Sequence, residues 1–257
     1  MDNARIGGGD EAPLGNRDAR CWQTTCESAG LARSRMPFPE TATGELGWRV
    51  YCEVAGSTLA SLENERSAAT VLDSVRAAAA ANDRYLDLLP SETRTAIGTA
   101  KLACGPGCAF CCCIRITTVA PYVLLMEQAV RSDPPSIPAV LESIRAYRSA
   151  TDVLPPRERV ARLQPCPLLR GSRCAYYAAR PASCRGCHSY DARECAKDDG
   201  SRIPRSVLRQ MVQFAVTAGY DDALGAVGLD VRELEFVPAL EIALTGSDVA
   251  ERWAGGE

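Results

Sequence analysis

A mainly α fold is predicted, and three observations predict it. Apolar residues recur at helical spacing in several long segments. Pro, Gly and Asp clusters punctuate the chain between those segments. No internal repeat and no alternation of strand and helix patterns is present. With 257 residues, 46% hydrophobic and 24% charged, the chain has an ordinary globular composition and enough length to bury a substantial core.

Residues 1–20 are rich in Gly, Asp, Asn and Arg without periodicity and read as disordered. Residues 21–56 carry Cys21, Cys26, Cys52, Trp22 and Trp48, and the stretch GWRVYCEV has β character. Residues 1–56 are therefore expected to form a disordered or loosely structured N-terminal extension, and 57–257 a helical cysteine-cluster metal-binding domain. Over 57–89, Leu59, Leu62, Leu72, Val75 and Ala79 recur at helical spacing among Ala, Glu and Arg. Pro90 and Ser91 open a second short helix that runs up to the first cysteine cluster. A helix over 120–131 is stopped by Asp133-Pro134-Pro135, and another covers 138–150. Pro155 and Pro156 precede a helical RERVARL.

Residues 164–200 read as loop, ending in a short helix with Ser189 as cap, Asp191 in its first turn and Gly200 as stop. After it, Val207, Met211, Phe214 and Ala218 form one helical face, and 234–244 is a further helix.

The net charge of −3 makes no general case for nucleic acid or membrane as partner. The longest strongly apolar stretch, 119–126, is too short to span a bilayer. The start, MDNARIGGGDEAP, lacks a basic n-region and an apolar h-region, so the expected compartment is the cytoplasm.

Against this background thirteen cysteines are anomalous. Clustered thiols in a cytosolic chain of this size bind metal or do redox chemistry more often than they form disulfides. One cluster, CGPGCAFCCC, holds Cys104, Cys108, Cys111, Cys112 and Cys113. The other holds Cys166, Cys174, Cys184, Cys187 and Cys195, with the sole histidine, His188, beside Cys187. Cys21, Cys26 and Cys52 show no partner spacing and read as small buried hydrophobes.

On an α-helix each residue turns by about 100°. From Cys104, the residues Cys108, Cys111 and Cys112 then fall at roughly 40°, 340° and 80°, and Cys113 near 180°, on the opposite face. The Gly105-Pro106-Gly107 run breaks such a helix, leaving Cys104 to reach in from a loop, while Cys108, Cys111 and Cys112 keep a common face. Four thiols on one face do not surround an ion, so the second cluster is expected to close the shell. Spacing does not choose between zinc and an iron–sulfur cluster, since thiolates fit both. Six arginines and no lysine lie between 162 and 195, against Asp191 and Glu194. They suit a thiolate-rich site, whose negative charge guanidinium groups stabilise; the alternative is a basic face for an acidic partner. His188 is equally readable as a ligand or as a hydrogen-bonded surface residue. The mainly α fold thus becomes a helical domain organised around a cysteine-rich metal site with irregular loops.

These blocks resemble the YkgJ-like cysteine-cluster family, the CxxCxxCC zinc- or iron-chelating proteins. CGPGCAFCC resembles its first block, and CPLLRGSRCAYYAARPASCRG followed by SYDARECA its second. The likeness covers roughly residues 100–196, and the late FVPALEIAL stretch is also similar. The resemblance implies a metal set of Cys104, Cys108, Cys111, Cys112, Cys166, Cys174, Cys184 and Cys195. Cys113 and Cys187 depart from the usual pattern, Cys187 as an added ligand or a free thiol; with His188 they are further candidate ligands.

Three functions follow as expectations. One is a metal-binding protein holding zinc or an iron(-sulfur) centre. A second is an iron-dependent enzyme acting on a peptide or amine, since domains resembling this one occur in a flagellin lysine methylase; Tyr177, Arg180 and Asp191 are then the polar residues nearest the metal. A third is a metal chaperone or interaction module that uses Cys113, Cys187 and Cys21 with a protein or peptide partner. No dinucleotide loop, P-loop or hydrolase elbow is present, and one histidine makes a histidine-based triad improbable.

Overall fold

Two long helices that pack side by side dominate the framework. The structure is a computed structural model that describes residues 24, 26–31, 38, 41–95, 98–105, 107–155, 158, 164–197 and 205–256. Residues 1–20, Cys21, Trp22, Pro106, Pro156, Gly200 and all of RERVARL but Glu158 lie outside the described residues. The architecture is mainly α, as expected.

Helix α1 (Ala42–Leu62) starts at Thr41, whose hydroxyl accepts from Gly44 N at 3.3 Å. It buries Trp48, Val50, Tyr51, Cys52, Val54 and Leu59. The expected boundary at residue 56 therefore falls inside a core helix, and GWRVYCEV is helical rather than extended. Its aromatic and β-branched residues are buried on several sides at once, and that packing overrides their β propensity. Cys26 and Cys52 are buried beside each other, Cys26 Sγ lying 3.5 Å from the Cys52 carbonyl oxygen.

Helix α2 (Ala68–Leu88) begins at a capping box in which Ser67 and Thr70 satisfy each other's backbone N–H. The helical pattern expected over 57–89 is thus two helices divided at 63–67. Where a short helix was expected after Pro90, the chain forms an antiparallel hairpin, β1 (Glu92–Thr95) and β2 (Gly98–Lys101). Alternating threonines favour that extended pairing.

Strand β3 (Thr117–Thr118) leads into helix α3 (Ala120–Arg131), where residues 120–126 are all buried. Helix α4 (Ile137–Thr151) follows the proline stop. Strands β4 (Leu169–Arg170) and β5 (Arg173–Cys174) form a tight hairpin, and Gly171 supplies the positive φ of 59° that its turn requires. Two short helices, α5 (Ala182–Arg185) and α6 (Ala192–Ala196), carry the second cysteine cluster. The cap of α6 is Asp191, accepting from Arg193 N and Glu194 N, and the Ser189 hydroxyl in turn accepts from Asp191 N.

Helix α7 (Val207–Ala226) buries Val212, Ala215, Val216, Gly219, Tyr220 and Ala223. The face expected from Val207, Met211, Phe214 and Ala218 is not the buried one; Val207 and Phe214 are exposed. The packed side mixes large residues with Ala215, Gly219 and Ala223, and α1 lies so close that a Cβ on Gly219 would come within 2.7 Å of the Tyr51 carbonyl oxygen. Tyr51 also stacks on Trp48 and donates to Asp222 at 2.7 Å. Strand β6 (Leu234–Glu235) pairs with β3, so helix α8 (Phe236–Thr245) starts two residues later than expected. Helix α9 (Val249–Ala254) closes the described chain. Among the described residues no helix is long and apolar enough to cross a membrane.

Two outcomes follow from this packing. Gly219→Ala forces α1 and α7 apart and is expected to cost about 1–3 kcal/mol in urea unfolding. Gly225→Ala, one and a half turns along α7, meets only Val231 at 3.9 Å and is expected to be neutral or to stabilise by up to about 1 kcal/mol. The second outcome concerns Asp221, whose carboxyl is raised to about 7 by burial and by neighbouring Asp222 and Glu233. The folded chain then keeps a proton that the unfolded chain, titrating near about 3.9, has released. That contribution to stability is complete below about pH 4 and is lost as pH rises to about 7. Asp221→Asn is expected to remove this slope, so the variant gains on the parent between pH 5 and pH 8 when urea midpoints are compared.

Candidate metal centre

Backbone hydrogen bonds bring the two cysteine segments together. Leaving the β1–β2 hairpin, Ala103 N donates to the Ser189 carbonyl at 2.9 Å. Ser189 N donates in return to Cys104 Sγ at 3.1 Å. Further on, Cys166 N donates to the Cys112 carbonyl at 2.8 Å, and Gln164 N to the Cys113 carbonyl at 3.1 Å. Pairing of Leu169 with Cys174 across β4–β5 sets Cys174 near Cys166.

The α-helical face expected for the first cluster does not form. The described residues from Cys104 to Ala109 are non-helical, and Phe110–Cys113 is a single 3₁₀ turn. With three residues per turn, consecutive side chains point about 120° apart. Cys113 points away from Cys111 and Cys112, whose thiols stay in hydrogen-bond contact.

A cavity of about 830 Å³ opens beside this turn. Its thiol wall is Cys104, Cys108, Cys111 and Cys112 from the first cluster and Cys166, Cys174, Cys184 and Cys187 from the second. A smaller cavity of about 30 Å³, the size of one water or ion, is bounded by Cys104, Cys108, Cys111, Cys187 and Cys195. His188 lines both. Cys113 lines neither; its Sγ lies 3.9 Å from the Ala109 carbonyl oxygen.

Burial pushes most of these thiols up. Cys166 rises to about 12, chiefly by desolvation, and burial likewise raises Cys184, Cys174 and Cys104. At Cys111 the hydrogen bond with Cys112 pulls down, but the bond with Cys187 and burial outweigh it and carry the thiol to about 12. Cys112 is raised by its bond to Cys111 and then by burial. Cys187 alone among the cluster is lowered, by its bond to Cys111, with Arg205 assisting against burial. Arg180 favours the thiolates of Cys112, Cys174 and Cys184. Burial, with Arg209 and Arg180, lowers His188 from its ordinary value, against the pull of the Gly186 backbone, and its buried Nδ1 has no hydrogen-bond partner among the described residues.

Among the other candidates, Tyr177 is exposed at the cavity, with the Arg180 guanidinium 3.4 Å above its ring. Asp191 serves as the α6 cap and lines neither cavity. The residue that sequence reasoning missed is Arg185. Its side chain is 2% exposed and donates to Asp83 on α2 and to the carbonyls of Ala178 and Arg180. A basic residue next to Cys184 was visible, but its pairing with a residue a hundred positions earlier was not. Arg205, Arg209 and the Arg115–Glu235 ion pair also border the cavities.

The donor chemistry fits a soft cation. Crowded, half-buried thiols with arginines beside them, and an imidazole nitrogen without a partner among the described residues, are a donor set that suits zinc or iron. Among the described residues, no three Cys, His, Asp or Glu side chains are already disposed to hold an ion. Compared with family models, curated proteins and solved structures, the chain matches none.

Arg185 is the joint between site and framework, and Lys cannot reproduce its fork of donors. Arg185→Lys is expected to cost about 2 kcal/mol or more in urea unfolding and to speed proteolytic cleavage within 164–197, read by mass spectrometry of the fragments.

Proposed function

We propose that this chain is a metal-binding protein that holds zinc or an iron(-sulfur) centre with Cys104, Cys108, Cys111, Cys112, Cys166, Cys174, Cys184 and Cys195. One observation carries the reading: two cysteine segments some fifty residues apart are folded face to face, through Cys166 N to the Cys112 carbonyl and Ser189 N to Cys104 Sγ. Seven of these thiols line the large cavity, Cys195 lines the smaller one, and none of the eight is in a disulfide. Cross-linking by an ion would relieve the cost of packing them together, since binding replaces the thiol protons with a cation. Likeness to the YkgJ-like cysteine-cluster family supports the same set.

A second reading, an iron-dependent enzyme acting on a peptide or amine, is favoured by the size of the large cavity. At about 830 Å³ it exceeds what an ion needs and is in the range of small-molecule sites. Its lining also includes Asp83, Asp87, Tyr147, Tyr177, Arg180 and Glu235. Asp83 and Glu235 are paired with Arg185 and Arg115; Asp87 is the carboxylate that suits a cationic amine. Iron would add redox chemistry that zinc does not supply.

The test is anaerobic and aerobic purification with metal analysis and an absorption spectrum. Stoichiometric zinc without colour supports the first reading and counts against the iron enzyme. Colour with acid-labile sulfide excludes a zinc-only site, and absence of stoichiometric metal overturns both readings. Within the ligand set, Cys112→Ser is expected to lower bound metal per chain, while Cys113→Ser retains the parent's content; equal loss in both would remove the distinction that the 3₁₀ turn draws.

A further inference from the structure

We propose that the large cavity binds the carboxylate of a small organic ligand on Arg209. The site is separate from the cysteine set proposed above and does not depend on which metal that set holds.

Two arginines are buried among the described residues, Arg185 and Arg209, and their donors are met unequally. Arg185 is paired with Asp83 and with the carbonyls of Ala178 and Arg180. Arg209, in the first turn of α7, is only 8% exposed. Its Nη2 donates to the Leu89 carbonyl at 3.0 Å, just past the end of α2. Its Nε is buried with no partner, and among the described residues no carboxylate forms an ion pair with the guanidinium. Burial disfavours the charge, with Tyr190, Asp87 and Cys104 near enough to oppose that effect. A buried donor on a charged group is costly when left unmet, and a ligand oxygen meets it with a charge-assisted bond. Arg209 lines the large cavity, so such a ligand has a route to it.

The neighbouring backbone sets a second polar atom beside the first. Ser206 caps α7, accepting from Arg209 N, and donates its own N–H to the His188 carbonyl at 3.1 Å. His188 therefore sits within electrostatic range of Arg209 and lines the same cavity. Its buried Nδ1 also has no partner among the described residues, and in the tautomer protonated there it donates to the same ligand. Two unmet nitrogens on one cavity are the convergent polar groups that fix a small molecule. The nearby charge selects among anions. Asp87, in the last turn of α2, also lines the cavity. It repels a dianion more than a monoanion, which favours a carboxylate over a phosphate.

The experiment uses the full chain as purified, with its metal content recorded, its arginines labelled with ¹⁵N and acetate as the probe. Expected is one arginine Nε–H resonance that shifts to saturation with acetate and does not move with acetamide, the neutral analogue. Arg209→Gln should remove that resonance and weaken acetate binding about tenfold or more. Arg173→Gln, which takes an exposed cation from the same cavity lining, should leave it within about twofold. An equal shift with acetamide overturns the proposal. So does undiminished acetate binding by Arg209→Gln; if that variant also loses metal, Arg209 is instead a counter-charge to the thiolates. Tighter binding of inorganic phosphate than of acetate overturns the choice of a carboxylate. Where Arg209→Gln fails to fold, the parent decides, since no arginine Nε–H shift with acetate overturns the site. The metal content tests the metal-binding reading separately from all of these outcomes.

Discussion

Burial of Arg185 is the constraint on which the cysteine-bearing part of the molecule depends. A guanidinium withdrawn from water costs several kcal/mol unless its donors are met. Here the carboxylate of Asp83 and the carbonyls of Ala178 and Arg180 meet them. Asp83 belongs to α2, a framework helix, and the carbonyls belong to the loop that precedes Cys184. A single side chain thus sets the height of that loop above the helices, and with it the position of Cys184. Asp83 is half exposed, so the arrangement is satisfied from the solvent side as well as from within.

From this joint outward, main-chain pairing rather than side-chain packing shapes the site. The bond from Cys166 N to the Cys112 carbonyl holds one end of the second segment against the 3₁₀ turn, and the mutual bonds of Ala103, Ser189 and Cys104 hold the other. Between those two clamps the thiols have only their single χ1 torsion to adjust. What each cysteine faces is then decided by the local backbone. In the 3₁₀ turn Cys111 and Cys112 keep hydrogen-bond contact, and Cys113 turns away toward the Ala109 carbonyl.

The helical character of the chain was legible because it rests on period: α3 and α4 lie within a residue or two of the pattern that announced them. Less legible was whatever long-range burial decides. α1 carries residues of β propensity and became a helix because α2 and α7 cover it. The packed face of α7 was misread because large residues attract attention, whereas close approach selects glycine and alanine. At the site, cysteine spacing indicated which residues belong together but not their local geometry, since a 3₁₀ turn leaves no periodic trace in four residues. The separation of Cys113 from the others was expected from an α-helical wheel, yet the structure gives it a different origin.

The cysteines sit where the hydrophobic core gives out. Among their apolar side chains, residues 164–197 bury Leu168, Ala179 and Ala182, with Pro167 and Pro181. Ordering backbone costs about 1–2 kcal/mol per residue, whereas a buried leucine returns about 1.5–3 kcal/mol and an alanine less. Apolar burial therefore falls far short of holding this segment, while α1, α2, α3 and α7 have ample core of their own. Small folds with too little core are stabilised by cross-links instead. Among the described residues the cluster cysteines form no disulfide, and a thiolate-bound cation is a cross-link that the same residues could provide. Under the proposed metal-binding reading, the ion would contribute to the folding of the loop-like half as much as to any chemistry there, with Arg185 and the backbone clamps presenting the thiols to it.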